Sequence, residues 1–209
     1  MDLTLRSLAC LAVMSLAPLA YAETSGTWKQ IADDDGIKIW KLEIPGVEVP
    51  GFRGETVMNT SAETVADYLK HVELHTQWMY RCSESAIVKR FDEDTALVYN
   101  RTDTPWPVWD RDAVLDTAFV TSADHKVITL TFKNIDAKLR PLPDNVIRMP
   151  RLVGSYRMEK LALDKTKVTY TVEVDIGGSV PDWMAEMVAR DMPFKTLLKL
   201  RNRVTPSKN

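Results

Sequence analysis

The clearest alternation of apolar and polar positions runs over residues 167–176. Val168, Tyr170, Val172, Val174 and Ile176 share one side, and Lys167, Thr169, Thr171, Glu173 and Asp175 share the other. A period of two predicts an antiparallel strand with one face in water. The same period predicts strands over 95–102, 111–121, 126–135 and 154–163, with Ala86-Ile87-Val88 opening another. Nearer the N-terminus, 37–41 alternates before Pro45-Gly46. Residues 52–58 read as its hairpin partner, joined through Pro50-Gly51.

Helical spacing interrupts these strands twice. Thr60-Ser61 offers an N-cap, with Glu63 and Asp67 early in the helix and Val65, Tyr68, Leu69 and Val72 on one face. A short second helix is expected over 74–79. After Gly177-Gly178, Ser179 or Val180 caps a long terminal helix with Pro181 in its first turn, where a missing N–H costs nothing. Its broad apolar face carries Trp183, Met184, Met187, Val188, Met192, Leu197 and Leu198 as far as about Arg203. Pro193 lies inside it and predicts a kink or a local loss of hydrogen bonding. Strands, helices, a long antiparallel run and one closing helix make an α+β fold. A large curved sheet with a helix across its inner face follows.

The first 22 residues stand apart from this pattern. Arg6 precedes an apolar run over 8–19 that ends in Ala20-Tyr21-Ala22, an A-x-A cleavage signature. The run is shorter than the roughly 20 apolar residues of a membrane span. A signal peptide over 1–22 and a single mature domain over 23–209 are therefore expected, with export to a periplasm. Cleavage removes Cys10 and leaves Cys82 as a lone cysteine without an internal disulfide partner. Lys plus Arg number 27 and Asp plus Glu 29, a net charge of −2 that gives no support to nucleic acid as a partner.

One helix over so wide an apolar face leaves two readings: a solid core, or a hollow that holds a ligand. Methionine at 184, 187 and 192 favours an adaptable surface. Arg111 shares its side of the strand with Leu115 and Phe119, so its guanidinium faces inward. There it requires a partner or a ligand head group. Glu55, Asp103 and the amide of Asn100 are the protein candidates. A path to solvent from the strand's start is the other.

Catalytic chemistry has little support. His71 and His75 are four apart, yet His71-Val72-Glu73-Leu74-His75 is not H-E-x-x-H, and His125 sits in an apparent turn. Neither G-x-S-x-G nor a phosphate-gripping glycine loop is present. Trp106 and Trp109 could cap a cavity mouth or dock a partner or membrane. Asn59 and Asn100 sit in N-x-S/T sequons.

Several segments together resemble a known family. Pro105-Trp106-Pro107-Val108-Trp109-Asp110-Arg111-Asp112-Ala113-Val114 is similar to the P-W-P-x-x-D-R-D-x-V signature of START domains, the lipid-transfer domains related to the steroidogenic acute regulatory protein. Phe52-Arg53-Gly54-Glu55, Trp78, Gly154-Ser155-Tyr156 and the run from Gly177 to Trp183 agree with it, and the likeness spans about 28–203. The resemblance implies a helix-grip fold enclosing a cavity for one lipid or sterol-like molecule, with the terminal helix and the loop over 136–150 as lid. It places the family's buried arginine on Arg111. The expected ligand contacts are Tyr99, Trp106, Arg111, Leu115, Phe132, Tyr170, Trp183, Met187 and Met192. Neither cofactor nor metal is expected, and a monomer making transient membrane contact is. A helix-grip enzyme of cyclase or hydrolase type is the alternative.

Overall fold

The computed structural model describes residues 26–46, 51–135 and 139–205. The predicted signal segment, the hairpin link at 47–50 and the start of the predicted lid loop lie outside them. Among the described residues ten strands form one sheet: β1 (Thr27–Asp34), β2 (Ile37–Glu43), β3 (Gly51–Met58), β4 (Cys82–Arg90), β5 (Thr95–Thr102), β6 (Asp110–Thr121), β7 (Val127–Asn134), β8 (Val146–Arg148), β9 (Arg151–Ala162) and β10 (Lys165–Asp175). The order across the sheet is β1-β2-β3-β10-β9-β7-β6-β5-β4, all antiparallel. β8 is the exception and lies parallel to β6. Helix α1 (Ala62–Lys70) and the single turn α2 (His75–Trp78) connect β3 to β4. The terminal helix comprises α3 (Asp182–Glu186), a π turn (Met187–Asp191) and α4 (Met192–Val204).

Local chemistry explains the helix ends. Thr64 N–H donates to Ser61 Oγ at 3.1 Å, the expected N-cap, and Glu63 lies in the first turn. The local loss of regular hydrogen bonding expected at Pro193 takes the form of a widened turn. Proline lacks the N–H that would bond four residues back, and its ring crowds that carbonyl. The backbone relieves both by an i→i−5 bond, Met192 N–H to Met187 O. The buried positions Met184, Val188, Pro193, Leu197, Leu200 and Val204 then form one stripe, whose single five-residue step spans the π turn.

The helix presses this stripe onto the sheet, closest at β3. A Cβ added at Gly54 would meet Leu197 Cδ1 at 2.6 Å and Ile39 Cδ1 at 3.2 Å, so the crossing point has no room for a side chain. Arg201 fastens the helix's far end to the β1–β2 turn, donating from Nη1 to Asp35 O at 2.6 Å. Inside lie Ile37, Ile39, Phe52, Met58, Val168, Val172, Leu197 and Leu200, in one cluster with the inner face of α1.

β1 and β8 were not among the predicted strands. β1 is mostly exposed with a bulge between Gln30 and Ala32, which breaks its alternation. β8 is three residues long, inside the segment read as loop.

Replacing Gly54 by leucine is expected to lower the melting temperature, since overpacking costs about 1–3 kcal/mol. A thermal melt unchanged from the parent protein would show that the helix does not rest on β3 at this point.

Candidate functional site

Between the inner face of the sheet and the terminal helix lies a cavity of about 140 Å³. That is roughly ten times the ~10–15 Å³ that admits one water. The sheet supplies Phe52, Val98, Leu115, Leu130, Phe132, Tyr156, Tyr170, Val172, Val174 and Ile176, and the helix supplies Met184, Met187, Val188, Met192 and Thr196. Met187 and Met192 bracket the π turn, so the flexible thioethers sit where the helix backbone is widest. The wall is strongly aromatic. Tyr156 and Tyr170 stack at 4.1 Å between centroids, with Phe52 edge-on to Tyr170 at 5.2 Å and Trp78 edge-on to Tyr156 at 6.3 Å. The cavity reaches the surface beside Lys70, Arg90, Glu93 and Asp94, where the end of α1 meets the β4–β5 turn. Lys70 and Asp94 close an ion pair there at 2.7 Å.

Arg111 faces inward as its strand parity requires, and only 2% of it is exposed. Its partner is none of the expected ones. Nη1 donates to Trp109 O at 2.6 Å, Nη2 to Gly177 O at 3.0 Å and Nε to Ile176 O at 3.3 Å. Gly177 and Gly178, both near φ +68°, sit in the left-handed region that glycine tolerates, and the turn they make brings those carbonyls round. Burial pushes the guanidinium's pKa down, and the charge of Asp110 partly offsets this. The guanidinium therefore acts as a cross-brace between the start of β6 and the start of the terminal helix.

The two flanking aspartates of the same motif are structural as well. Asp110 pairs with Arg101 at 2.7 Å and accepts from Thr104 N–H at 3.0 Å, folding the Pro105–Trp109 loop over. Asp112 is fully buried on the outer face. It takes a two-pronged pair from Arg148 of β8, Nε to Oδ1 at 2.6 Å and Nη2 to Oδ2 at 3.0 Å.

Of the expected ligand contacts, Arg111, Leu115, Phe132, Tyr170, Met187 and Met192 line the cavity, and three do not. Tyr99 packs on the opposite face of β5 with Leu97 and Val114, under the Arg140 guanidinium 3.7 Å from its ring centre. Burial, and then the Asp112 carboxylate, push its phenol to about 12. Ala96-Leu97-Val98-Tyr99 is apolar at every position because both faces of β5 are covered, so period two carries no parity there. Trp106 is 91% exposed and Trp183 42% exposed, on the loop and helix start that Arg111 joins. The predicted lid loop brings Arg140 onto Tyr99 and β8 onto β6, while Met149 at its end lines the cavity.

Sequence reasoning missed Trp78, Val98, Asn100 and Tyr156 as lining residues. For Asn100 the signal was available: it stood among the candidate partners of the inward-facing Arg111. Its burial also removes it as a glycosylation site. His75 is buried, its Nε2–H donating to Leu69 O at 3.0 Å and its Nδ1 accepting from Ser85 Oγ at 3.3 Å. Desolvation lowers its pKa from 6.5. Burial pushes the Cys82 thiol up to about 11, so it stays protonated and unreactive.

The family model described as START domain matches residues 12–206. An uncharacterized protein of Pseudomonas aeruginosa is 33% identical over 191 residues, covering 91% of this chain and 92% of that one. The crystal structure of a STAR-related lipid transfer protein fragment from Xanthomonas axonopodis has a TM-score of 0.75 at 30% identity, covering 85% of this chain and 98% of that one. Human StAR-related lipid transfer protein 5 gives the same TM-score of 0.75 at 18% identity, covering 88% of each chain, which is likeness of fold.

Arg111→Met should lower stability by about 2 kcal/mol or more, because buried carbonyls lose their donors. A melt equal to the parent's would mean that the guanidinium braces nothing. His75 gives a pH signature. Its folded-state pKa lies below the unfolded value of about 6.5, so the unfolded chain binds this proton more readily. The stability it contributes is complete above about pH 6.5 and declines as the pH falls further. Denaturant titrations at pH 7, 6 and 5 should show a smaller decline for His75→Gln than for the parent; equal declines would rule out His75 as the titrating group.

Proposed function

We propose a lipid-carrier function on one premise: this chain belongs to the START domain family. The protein binds one lipid or sterol-like molecule in the cavity between sheet and terminal helix and carries it through water. The observation that carries this reading is the hollow itself, walled by aromatic rings, branched aliphatics and three methionines of one helix. Burying an acyl chain there is favourable by about 0.8 kcal/mol per methylene, comparable with its transfer into a bilayer. Exchange with a membrane is then close to balanced, as a carrier needs. The names of the Xanthomonas and human neighbours agree with this reading.

A carrier is favoured over a catalyst by the state of the ionisable groups. Among the described lining residues, those away from the charged mouth are His75, Arg111, Tyr156 and Tyr170. The imidazole has both nitrogens engaged, the guanidinium is committed to three carbonyls, and burial holds both phenols protonated, Tyr170 at about 12. None of these is poised to exchange a proton near neutral pH.

Membrane contact is assigned to the end of the molecule bearing exposed Trp106 and Trp109, whose rings suit a membrane–water boundary. The working form is a monomer, exported to the periplasm by the segment ending at Ala22.

The test is recovery of lipid. Protein purified without detergent should carry a stoichiometric lipid detectable by native mass spectrometry. Val172→Trp, which places a large ring in the cavity, should lose that lipid while still melting cooperatively. A parent protein that carries no lipid and binds no fluorescent lipid analogue would overturn the carrier reading.

A further inference from the structure

The two ends of the cavity are closed by different means. At the Arg111 end the lining residues Thr104, Arg111, Met149, Ile176 and Met184 are all buried. Three hydrogen bonds from the guanidinium tie the loop before β6 to the entry of the terminal helix. The helix is pinned again over Gly54, and at Asp35 by Arg201. At the opposite end the lining residues Arg90, Glu93 and Asp94 are exposed. β5 runs from Thr95 at this mouth to Thr102 before the Pro105–Trp109 loop, so its length sets the two ends roughly 25 Å apart.

One side chain crosses the mouth. Lys70, the last residue of α1, reaches over to the β4–β5 turn, where its Nζ meets Asp94 Oδ1 at 2.7 Å. It also lies 5.0 Å above the ring of Phe119, a lining residue of β6. Among the described residues this is the one hydrogen bond between α1 and that turn. The turn is built to hold its shape. Asp92 Oδ1 accepts from the N–H groups of Asp94 at 2.8 Å and Thr95 at 2.7 Å, and Asp94 O accepts from Phe119 N–H at 2.9 Å. A fixed loop therefore presents the carboxylate, and the movable partner is the lysine on its flexible four-carbon stem. The Lys70 side chain is 33% exposed and that of Asp94 58%. Ion pairs so open to water are weak and screened by salt, unlike the buried carbonyl contacts of Arg111.

We infer that the ligand enters and leaves the cavity between the end of α1 and the β4–β5 turn, with the Lys70 side chain as the bolt across this portal. The inference rests on the carrier reading and names the route its ligand takes. The terminal helix, held at its start, its crossing point and its far end, stays on the sheet during exchange. Passage is thereby separated from the membrane contact assigned to Trp106 and Trp109 at the other end. Phe91 and Val120, 54% and 62% exposed near the ends of β4 and β6, extend the apolar path outward from the mouth.

The experiment loads the protein with NBD-labelled stearate or NBD-labelled cholesterol and follows release to methyl-β-cyclodextrin by stopped-flow fluorescence, so no membrane enters the measurement. Lys70→Ala and Asp94→Asn should each speed release by about two- to fivefold. Sodium chloride at about 1 M should speed the parent but not these variants. In a Cys10→Ser background, a short bis-maleimide bridging the thiols of Lys70→Cys/Asp94→Cys should slow release by about tenfold or more. Capping the same thiols singly with N-ethylmaleimide should not. Cys82 is buried and its thiol stays protonated, so it takes no part. The same bridge in Asp35→Cys/Arg201→Cys, which clamps the far end of the helix, should leave release unchanged. A bridged portal that releases as fast as the parent, or a helix clamp that stops release, overturns the portal and leaves the carrier reading intact. Failure of both probes to bind overturns both.

Discussion

A cation buried among backbone carbonyls sets the terms for this fold. The Arg111 guanidinium gathers carbonyls from Trp109, Ile176 and Gly177, two stretches more than sixty residues apart in the chain. Burying a charge is costly unless every donor finds an acceptor, so the guanidinium imposes its geometry on whatever surrounds it. The Pro105–Trp109 loop, the start of β6 and the turn before α3 must come together at one end of the cavity. The adjacent aspartates extend the same junction outward. Asp110 holds the loop through Arg101 and Thr104, and Asp112 holds β8 through Arg148. Three consecutive charged residues thus point alternately out, in and out, and each fastens a different segment.

With that end secured, the rest of the enclosure can remain loosely filled. Among the described residues the sheet is nine strands across, and the terminal helix touches it most closely at Gly54. Away from that point the gap is bridged by methionines and aromatic rings that do not fill it. Rigid closure at one end and adaptable packing along the helix are compatible because the first rests on directional hydrogen bonds and the second on dispersion.

Much of this was legible in the residues, and the failures have physical causes. Period two placed β10 correctly because its outer face is only half-buried, and β6 because Asp112 and Asp116 mark one parity even where Asp112 is buried. It failed on β5, where Arg140 covers the Tyr99 ring on the outer face and Ala96 to Tyr99 are apolar at both parities, so Tyr99 was taken as a ligand contact. Trp183 was placed on the apolar face of the terminal helix and Trp106 at the cavity mouth, yet both are exposed. Arg111 was placed inward correctly, but its partners are backbone carbonyls, a class of acceptor that every residue carries and no sequence pattern reveals.

The π turn bears on how this protein tolerates changes in length. A residue inserted into an α-helix rotates everything after it by about 100°. Here one such extra residue lies between Val188 and Pro193, and the sheet-facing stripe is continuous only because the turn absorbs it. Deleting any one of residues 187–191 would restore regular winding and at the same time swing Leu197, Leu200 and Val204 away from β2 and β3. The helix is therefore phased for its sheet by a local irregularity, and a more ideal helix would fit this protein worse.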